Sequence, residues 1–268
     1  ARSGWFPCSC CPTNDVRLLP SIPGYVYAQK DDKLFVNLFI NGTSTMKLMG
    51  KDIAVEQQNN YPWNGDLKFI VNTNKSTDFS MLVRIPGWAR GQAMPSDLYT
   101  FKNNMRIQSM IPITVNGQPV AYEMENGYAV IKRAWKKNDV VEVKLPMDVE
   151  RVVANENVKD DIGKVALQRG PLMYCAEWPD NGGRAANFVL PDAITFTTEF
   201  KADMLNGVEI IKADNVPAVE VDANGQSIQT VKKPFVAIPY YAWANRGKGE
   251  MMIWFPEKIK DVDIIAME

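Results

Sequence analysis

The chain has 268 residues, 46% hydrophobic and 23% charged, an ordinary balance for one large globular domain or two of moderate size. Lys+Arg 30 against Asp+Glu 31 leaves a net charge of −1, so no overall field draws the protein to nucleic acid or anionic lipid. Histidine is absent, which excludes Ser-His-Asp, Cys-His and imidazole-rich metal sites and leaves cysteine, carboxylates, tyrosine, lysine or a metal held by other ligands.

Ala1-Arg2-Ser3-Gly4-Trp5 is neither an initiator methionine nor a signal peptide, so the natural N-terminus is expected elsewhere and the compartment stays open. No apolar run approaches the length that spans a bilayer. Three of the four cysteines crowd into Cys8, Cys10 and Cys11, with Cys175 far away, which does not suit a disulfide scaffold. Pro12-Thr13-Asn14-Asp15 predicts a helix start with Thr13 or Asn14 as cap and Asp15 near the positive end. Val16, Leu18, Leu19 and Ile22 supply its apolar side, and Pro20 keeps it short or bends it.

From Gly24 the period changes to two. Strands are expected over 33–40, 52–58, 67–72 and 79–85, a hairpin over 113–120, and strands over 128–132 and 139–145. Asn-Gly pairs at 41–42, 64–65, 116–117, 126–127 and 224–225 tolerate the positive φ angles of tight turns. Trp88 to Met110 reads as a long loop or insertion in the first domain. The polar stretch 155–161 marks a domain boundary. Further strands are expected over 164–168, 172–176, 193–200, 208–212, 228–231, 235–238 and 251–255. Many short strands at regular spacing predict an all-β chain of two β-sandwiches, covering 24–155 and 156–268.

Cys8-Ser9-Cys10-Cys11-Pro12-Thr13-Asn14 is the segment whose composition asks for a chemical explanation. A Cys10–Cys11 disulfide is disfavoured, since adjacent Cα atoms lie about 3.8 Å apart and bridged pairs usually lie further. A redox dithiol of Cys8 and Cys11 has the Cys-x-x-Cys spacing but lacks the βαβ context. Burial as small hydrophobes is a third reading. The fourth is thiolate coordination of a soft or borderline metal, with zinc the best match and further ligands supplied from elsewhere.

Trp5-Phe6-Pro7-Cys8-Ser9-Cys10-Cys11-Pro12-Thr13-Asn14, with Arg17-Leu18-Leu19 and Pro23-Gly24-Tyr25-Val26-Tyr27-Ala28, resembles the active-site loop and following helix of the β-L-arabinofuranosidase family, long catalogued as a domain of unknown function, and of its close sister family. Three more stretches match in order: Val83 to Trp88, Gly163 to Cys175 and Ile238 to Gly247. The resemblance implies the C-terminal part of a retaining exo-glycosidase, in which an N-terminal (α/α)6 barrel precedes two β-sandwiches. Residues 1–23 would then be the end of that barrel. It implies Cys10 as the nucleophile, Cys10 and Cys11 as two zinc ligands, and remaining ligands and a glutamate acid/base in the missing barrel. Cys8 matches no family ligand. The implied substrate is a plant-derived glycan or arabinoside ending in β-L-arabinofuranose or a related sugar, in a bacterial periplasm or cytoplasm, with this fragment inactive by itself.

A non-catalytic carbohydrate-binding or domain-assembly module is the alternative, and a purely structural zinc site a third reading. For Arg169-Gly170-Pro171 with Tyr174, a turn held by a buried salt bridge between the sandwiches is favoured over a substrate clamp. For Tyr240, Tyr241 and Trp243, packing is favoured over sugar stacking. Trp5 and Phe6 suit either a pocket wall or packing, and Lys136-Lys137 and Lys232-Lys233 read as solvated turns.

Overall fold

A computed structural model describes residues 8–103, 110–221 and 228–262, which form two compact units dominated by strands. The all-β expectation holds.

The first unit contains residues 8–90 and 110–147. It opens with α1 (Cys10–Leu18), a 3-10 turn at Leu19–Ser21 containing Pro20, and the short α2 (Pro23–Val26). α1 therefore begins earlier than the sequence suggested. Ser9 is its N-cap, and Thr13 and Asn14 lie inside it, because their side chains bond back to helix carbonyls instead of capping free N–H groups. Pro12 fits the first turn, where no partner for its missing N–H is needed.

Six strands follow: β1 (Tyr27–Lys30), β2 (Lys33–Val36), β3 (Gly42–Leu48), β4 (Lys51–Asn59), β5 (Asp66–Thr73) and β6 (Thr77–Arg84). β7 (Tyr99–Phe101) belongs to the other unit. The first unit resumes with β8 (Ile113–Val115), β9 (Gln118–Pro119), β10 (Glu123–Glu125), β11 (Tyr128–Trp135) and β12 (Asp139–Lys144). One sheet has the order β1-β2-β6-β11-β10 and the other β3-β4-β5-β12-β8-β9. Their inward residues, among them Leu34, Met81 and Trp135 on one sheet and Val55, Phe69 and Val141 on the other, form one core. Trp135 is fully buried, stacks on Phe79 and donates from Nε1 to the Phe79 carbonyl at 3.0 Å. The strand expected over 33–40 stops at Val36. There the Asn37 N–H bonds Val26 O and its side chain donates to Tyr25 O and accepts from the Tyr128 hydroxyl.

The Asn-Gly pairs serve different ends. Asn116-Gly117 and Asn126-Gly127 have positive φ at both residues and close the β8–β9 and β10–β11 hairpins. Asn41 instead clasps the backbone of Asn59 with its side chain. Gly65 lies against the Leu145 carbonyl, where a side chain would overlap it. Asn224-Gly225 lies outside the described residues.

The second unit holds residues 91–103, 148–221 and 228–262. Its strands are β7, β13 (Val149–Ala154), β14 (Lys164–Arg169), β15 (Leu172–Glu177), β16 (Thr197–Lys201), β17 (Val208–Val221), β18 (Ile228–Pro239), β19 (Met251–Met252) and β20 (Phe255–Pro256). They form one hydrogen-bonded system in the order β16-β17-β18-β15-β14-β13-β7, with β19 on β15 and β20 on β14. Phe235 sits at the centre of its core, edge-on to Phe188 at 5.2 Å and to Phe255 at 5.3 Å. The strands expected at 228–231 and 235–238 are one strand, paired to β17 across an irregularity between Ala213 and Val216.

Two organisational expectations are corrected. The units meet in sequence near Asp148, not at 155–156, because β13 pairs with β14 and β7 in the second sheet. Trp88 to Met110 is not simply a loop of the first domain, since β7 pairs with β13.

Candidate functional site

The helix start at Cys10 puts two cysteines on the first turn of α1, with Cys8 just outside it. Thr13 Oγ1 donates to Ser9 O at 2.8 Å and to Cys10 O at 3.0 Å, and Asn14 Nδ2 donates to Cys10 O at 2.9 Å. These bonds hold the Cys10 backbone from below, so the polar run after Pro12 positions the thiol in front of it. The unpaired N–H groups of a helix's first turn give that end a positive potential, which favours anionic sulfur.

All three thiols are free and exposed in this chain. Cys10 Sγ lies 3.8 Å from Cys11 Sγ and 3.0 Å from Cys8 Sγ. Two thiolates on a tetrahedral zinc ion at about 2.3 Å each are separated by roughly 3.8 Å. The Cys10–Cys11 pair has that spacing as it stands. The shorter Cys8–Cys10 separation would require an angle of roughly 80° at such a metal, far from tetrahedral. The pair at 10 and 11 thus fits a soft or borderline metal in both ligand type and spacing. Among the described residues no group of three or more His, Cys, Asp and Glu is arranged to complete such a site. Trp5 and Phe6 lie outside the described residues.

Beyond the helix, Leu19, Ile22, Val26, Tyr27 and Ile40 line a cavity of about 370 Å³, with Asn41, Thr43 and Ser44 contributing polar side chains. Val16, Leu18, Leu19 and Tyr25 are exposed, so the apolar side of the helical segment is open in this chain.

Other singled-out residues sort differently. Arg169 pairs with Glu209 at 3.9 Å, both largely buried, beside the fully buried Tyr174 and a Gly170 of positive φ. The salt-bridged turn is present, but it lies within the second unit and not between the two. Desolvation raises the Tyr174 hydroxyl pKa strongly. Tyr240 and Tyr241 are 39% and 53% exposed, and the Tyr240 and Trp243 rings lie nearly parallel at 6.1 Å. Lys232 and Lys233 sit on β18, where Lys233 pairs with Glu220, and are not in a turn.

The sequence reading missed a charge cluster that includes Arg246, three residues past Trp243. Arg246 donates from Nη1 and Nη2 to Asp180 at 2.7 and 2.5 Å and from Nη2 to Glu177 at 2.7 Å, while Glu177 also accepts from the Ala244 N–H. The hydrogen bonds it donates to Asp180 and then Glu177 hold the guanidinium pKa above its usual value. Cys175, on the same strand end, is buried, and desolvation pushes its thiol up to about 12. It is therefore an inert core residue.

The described chain is thus two strand-built units, the first preceded by a short helical segment that carries paired thiols. Residues 33–147 match the family model of the β-L-arabinofuranosidase GH127 middle domain, and residues 149–256 that of the glycoside hydrolase family 127 C-terminal domain. The chain is 35% identical over 273 residues to the non-reducing end β-L-arabinofuranosidase of Bifidobacterium longum subsp. longum, covering 94% of this chain and 38% of that protein. A solved GH127 β-arabinofuranosidase superposes with a TM-score of 0.91 at 41% identity, over 98% of this chain and 41% of that one. A GH127 β-L-arabinofuranosidase from Geobacillus stearothermophilus T6 gives 0.83 at 38% identity, over 96% and 39%. The chain belongs to glycoside hydrolase family 127 and carries its middle and C-terminal domains. It spans about two fifths of the length of these relatives.

Proposed function

We propose that the protein containing this chain is a retaining exo-glycosidase that removes terminal β-L-arabinofuranosyl residues or a related sugar, with Cys10 as nucleophile. The observation that carries this is the exposed Cys10–Cys11 pair, 3.8 Å apart at the start of α1, in a chain of this family. Cys10 Sγ attacks the anomeric carbon and the glycosidic oxygen leaves with a proton from an acid outside these residues. Water, giving its proton to that same group, then attacks from the face the aglycone left, opposite the sulfur, and the two inversions restore the original configuration. The Thr13 and Asn14 bonds to Cys10 and Ser9 keep the attacking atom on a fixed backbone, so little orientation is lost when substrate arrives. A zinc ion bound by Cys10 and Cys11 would keep the sulfur ionised near neutral pH and ease its departure in the second step.

Residues 1–23 are read as the end of a barrel that supplies the other ligands and the acid. The exposed Val16, Leu18, Leu19 and Tyr25 suit a segment built to be covered. This chain by itself is accordingly inactive. The test is zinc content and arabinofuranosidase turnover in a protein that includes the preceding barrel. Cys10→Ala is expected to lower kcat by about 10³-fold or more, as loss of a nucleophile does in other covalent catalysts. Full activity in that variant refutes the mechanism.

The exposed Tyr240 and Tyr241 favour a second reading, a glycan-binding surface on the C-terminal unit. Titration of the chain with arabino-oligosaccharides decides it: saturable binding lost in Tyr241→Ala supports the module, and no binding rejects it.

A further inference from the structure

Cys8 has no part in the reaction above, yet its sulfur is nearer to Cys10 than Cys11 is, at 3.0 Å against 3.8 Å. Both thiols are free and exposed. A disulfide bond measures about 2.04 Å, so closing this pair needs an approach of roughly 1 Å. Cys8 lies outside α1, whereas Cys10 is its first residue and is held by the Thr13 and Asn14 side chains. The movement can therefore come from Cys8 without unwinding the helix. Closure of Cys10 with Cys11 would instead bridge adjacent residues, whose Cα atoms are too close for relaxed disulfide geometry.

We propose that Cys8 and Cys10 form a modification site: an oxidisable thiol pair that closes to a disulfide by exchange with a small disulfide oxidant such as oxidised glutathione. The Cys8 thiolate attacks one sulfur of the oxidant, forming a mixed disulfide and releasing one glutathione thiolate. The neighbouring Cys10 sulfur then attacks the Cys8 sulfur and expels the second. The two protein thiols give up two protons and two electrons, and the oxidant leaves as two thiols. The bond encloses a single intervening residue, Ser9, so it restrains little chain entropy. An exposed bond of that kind is easily reduced, which suits a reversible state rather than a permanent staple. Its consequence for turnover rests on the reading of Cys10 as nucleophile, because oxidation ties up the attacking sulfur. The bond itself does not depend on that reading.

The test treats the folded chain with oxidised glutathione, alkylates the remaining thiols and maps the peptides by mass spectrometry. Unoxidised protein should expose three reactive thiols, with buried Cys175 silent as a check that the chain stays folded. After oxidation one exposed thiol, Cys11, should remain, and dithiothreitol should restore all three. Cys11→Ser should still form the internal disulfide, while Cys8→Ser and Cys10→Ser should yield only mixed disulfides with glutathione. An internal disulfide that persists in Cys8→Ser, or only mixed disulfides in the unaltered chain, overturns the proposal. In the barrel-containing protein, reversible inactivation slowed by Cys8→Ser tests the link to catalysis separately.

Discussion

Replacing Arg246 with alanine removes the cation from a charge cluster of the second unit in which it pairs with two carboxylates. Its guanidinium makes contacts of 2.5–3.2 Å to Glu177 and Asp180, whose side chains are only 4% and 11% accessible. Glu177 keeps one N–H donor, from Ala244, but loses its counter-charge in a place that water barely reaches. Stripping one partner from such a buried pair costs about 3–5 kcal/mol, mostly from the charge left behind. Arg246→Lys keeps the charge but not the planar fork that reaches two carboxylates together, so about half of that loss is expected. Arg246→Met combined with Glu177→Gln should cost less than the sum of the single changes, since Glu177 is then no longer a stranded charge and only Asp180 has lost its cation. Urea unfolding followed by circular dichroism measures all three, read as the transition of the second unit if the two units separate. A loss below about 0.5 kcal/mol for Arg246→Ala, the scale of an ordinary surface change, would refute the argument.

Two further outcomes follow from burial and close approach. Desolvation holds the Cys175 thiol at about 12 against an ordinary 9.0, so its proton is bound more tightly in the folded chain. That contribution to stability is full below pH 9 and fades as pH rises through the folded value; Cys175→Ala should flatten the alkaline loss of stability, and native Cys175 should resist iodoacetamide at pH 9 while the three N-terminal thiols react. Gly65→Ala would drive a methyl into the Leu145 carbonyl, whose own N–H bonds Gly65 O at 2.9 Å, and should destabilise the first unit by about 1–3 kcal/mol in thermal or urea unfolding. An unchanged midpoint would mean that the β5–β12 end of the sandwich gives way freely.

Strands with one buried face were legible because burial writes a period of two into the chain. β4 and β5 alternate buried with half-buried or exposed positions along most of their length, and both ends were placed within about two residues. β1 and β10 carry almost no buried residue, so no alternation announced them. β7 was missed for a different reason: only its pairing with Val152 to Ala154, some fifty residues on, makes it a strand. The same distance hid the Arg246 cluster, whose partners are 66 and 69 residues away. At the site, the crowding of Cys8, Cys10 and Cys11 was plain in the composition. The error lay in the helix start, where Thr13 and Asn14 have the chemistry of caps but spend it on the carbonyls of Ser9 and Cys10. A cap and a back-bonded first turn use the same side chains, and only the backbone distinguishes them.

The excursion of residues 91–103 has a practical corollary for anyone dissecting this protein. The polypeptide leaves the first unit after Arg90, lends a strand to the second, returns, and leaves again at Asp148. No single cut can separate the pair cleanly. A chain begun at 148 would present the β13 edge bare, inviting intermolecular strand addition. One ended at 147 would carry an orphaned strand through solvent. Sequence families draw their border at 147–149, but the smallest piece that can complete the second sheet must begin upstream of Tyr99.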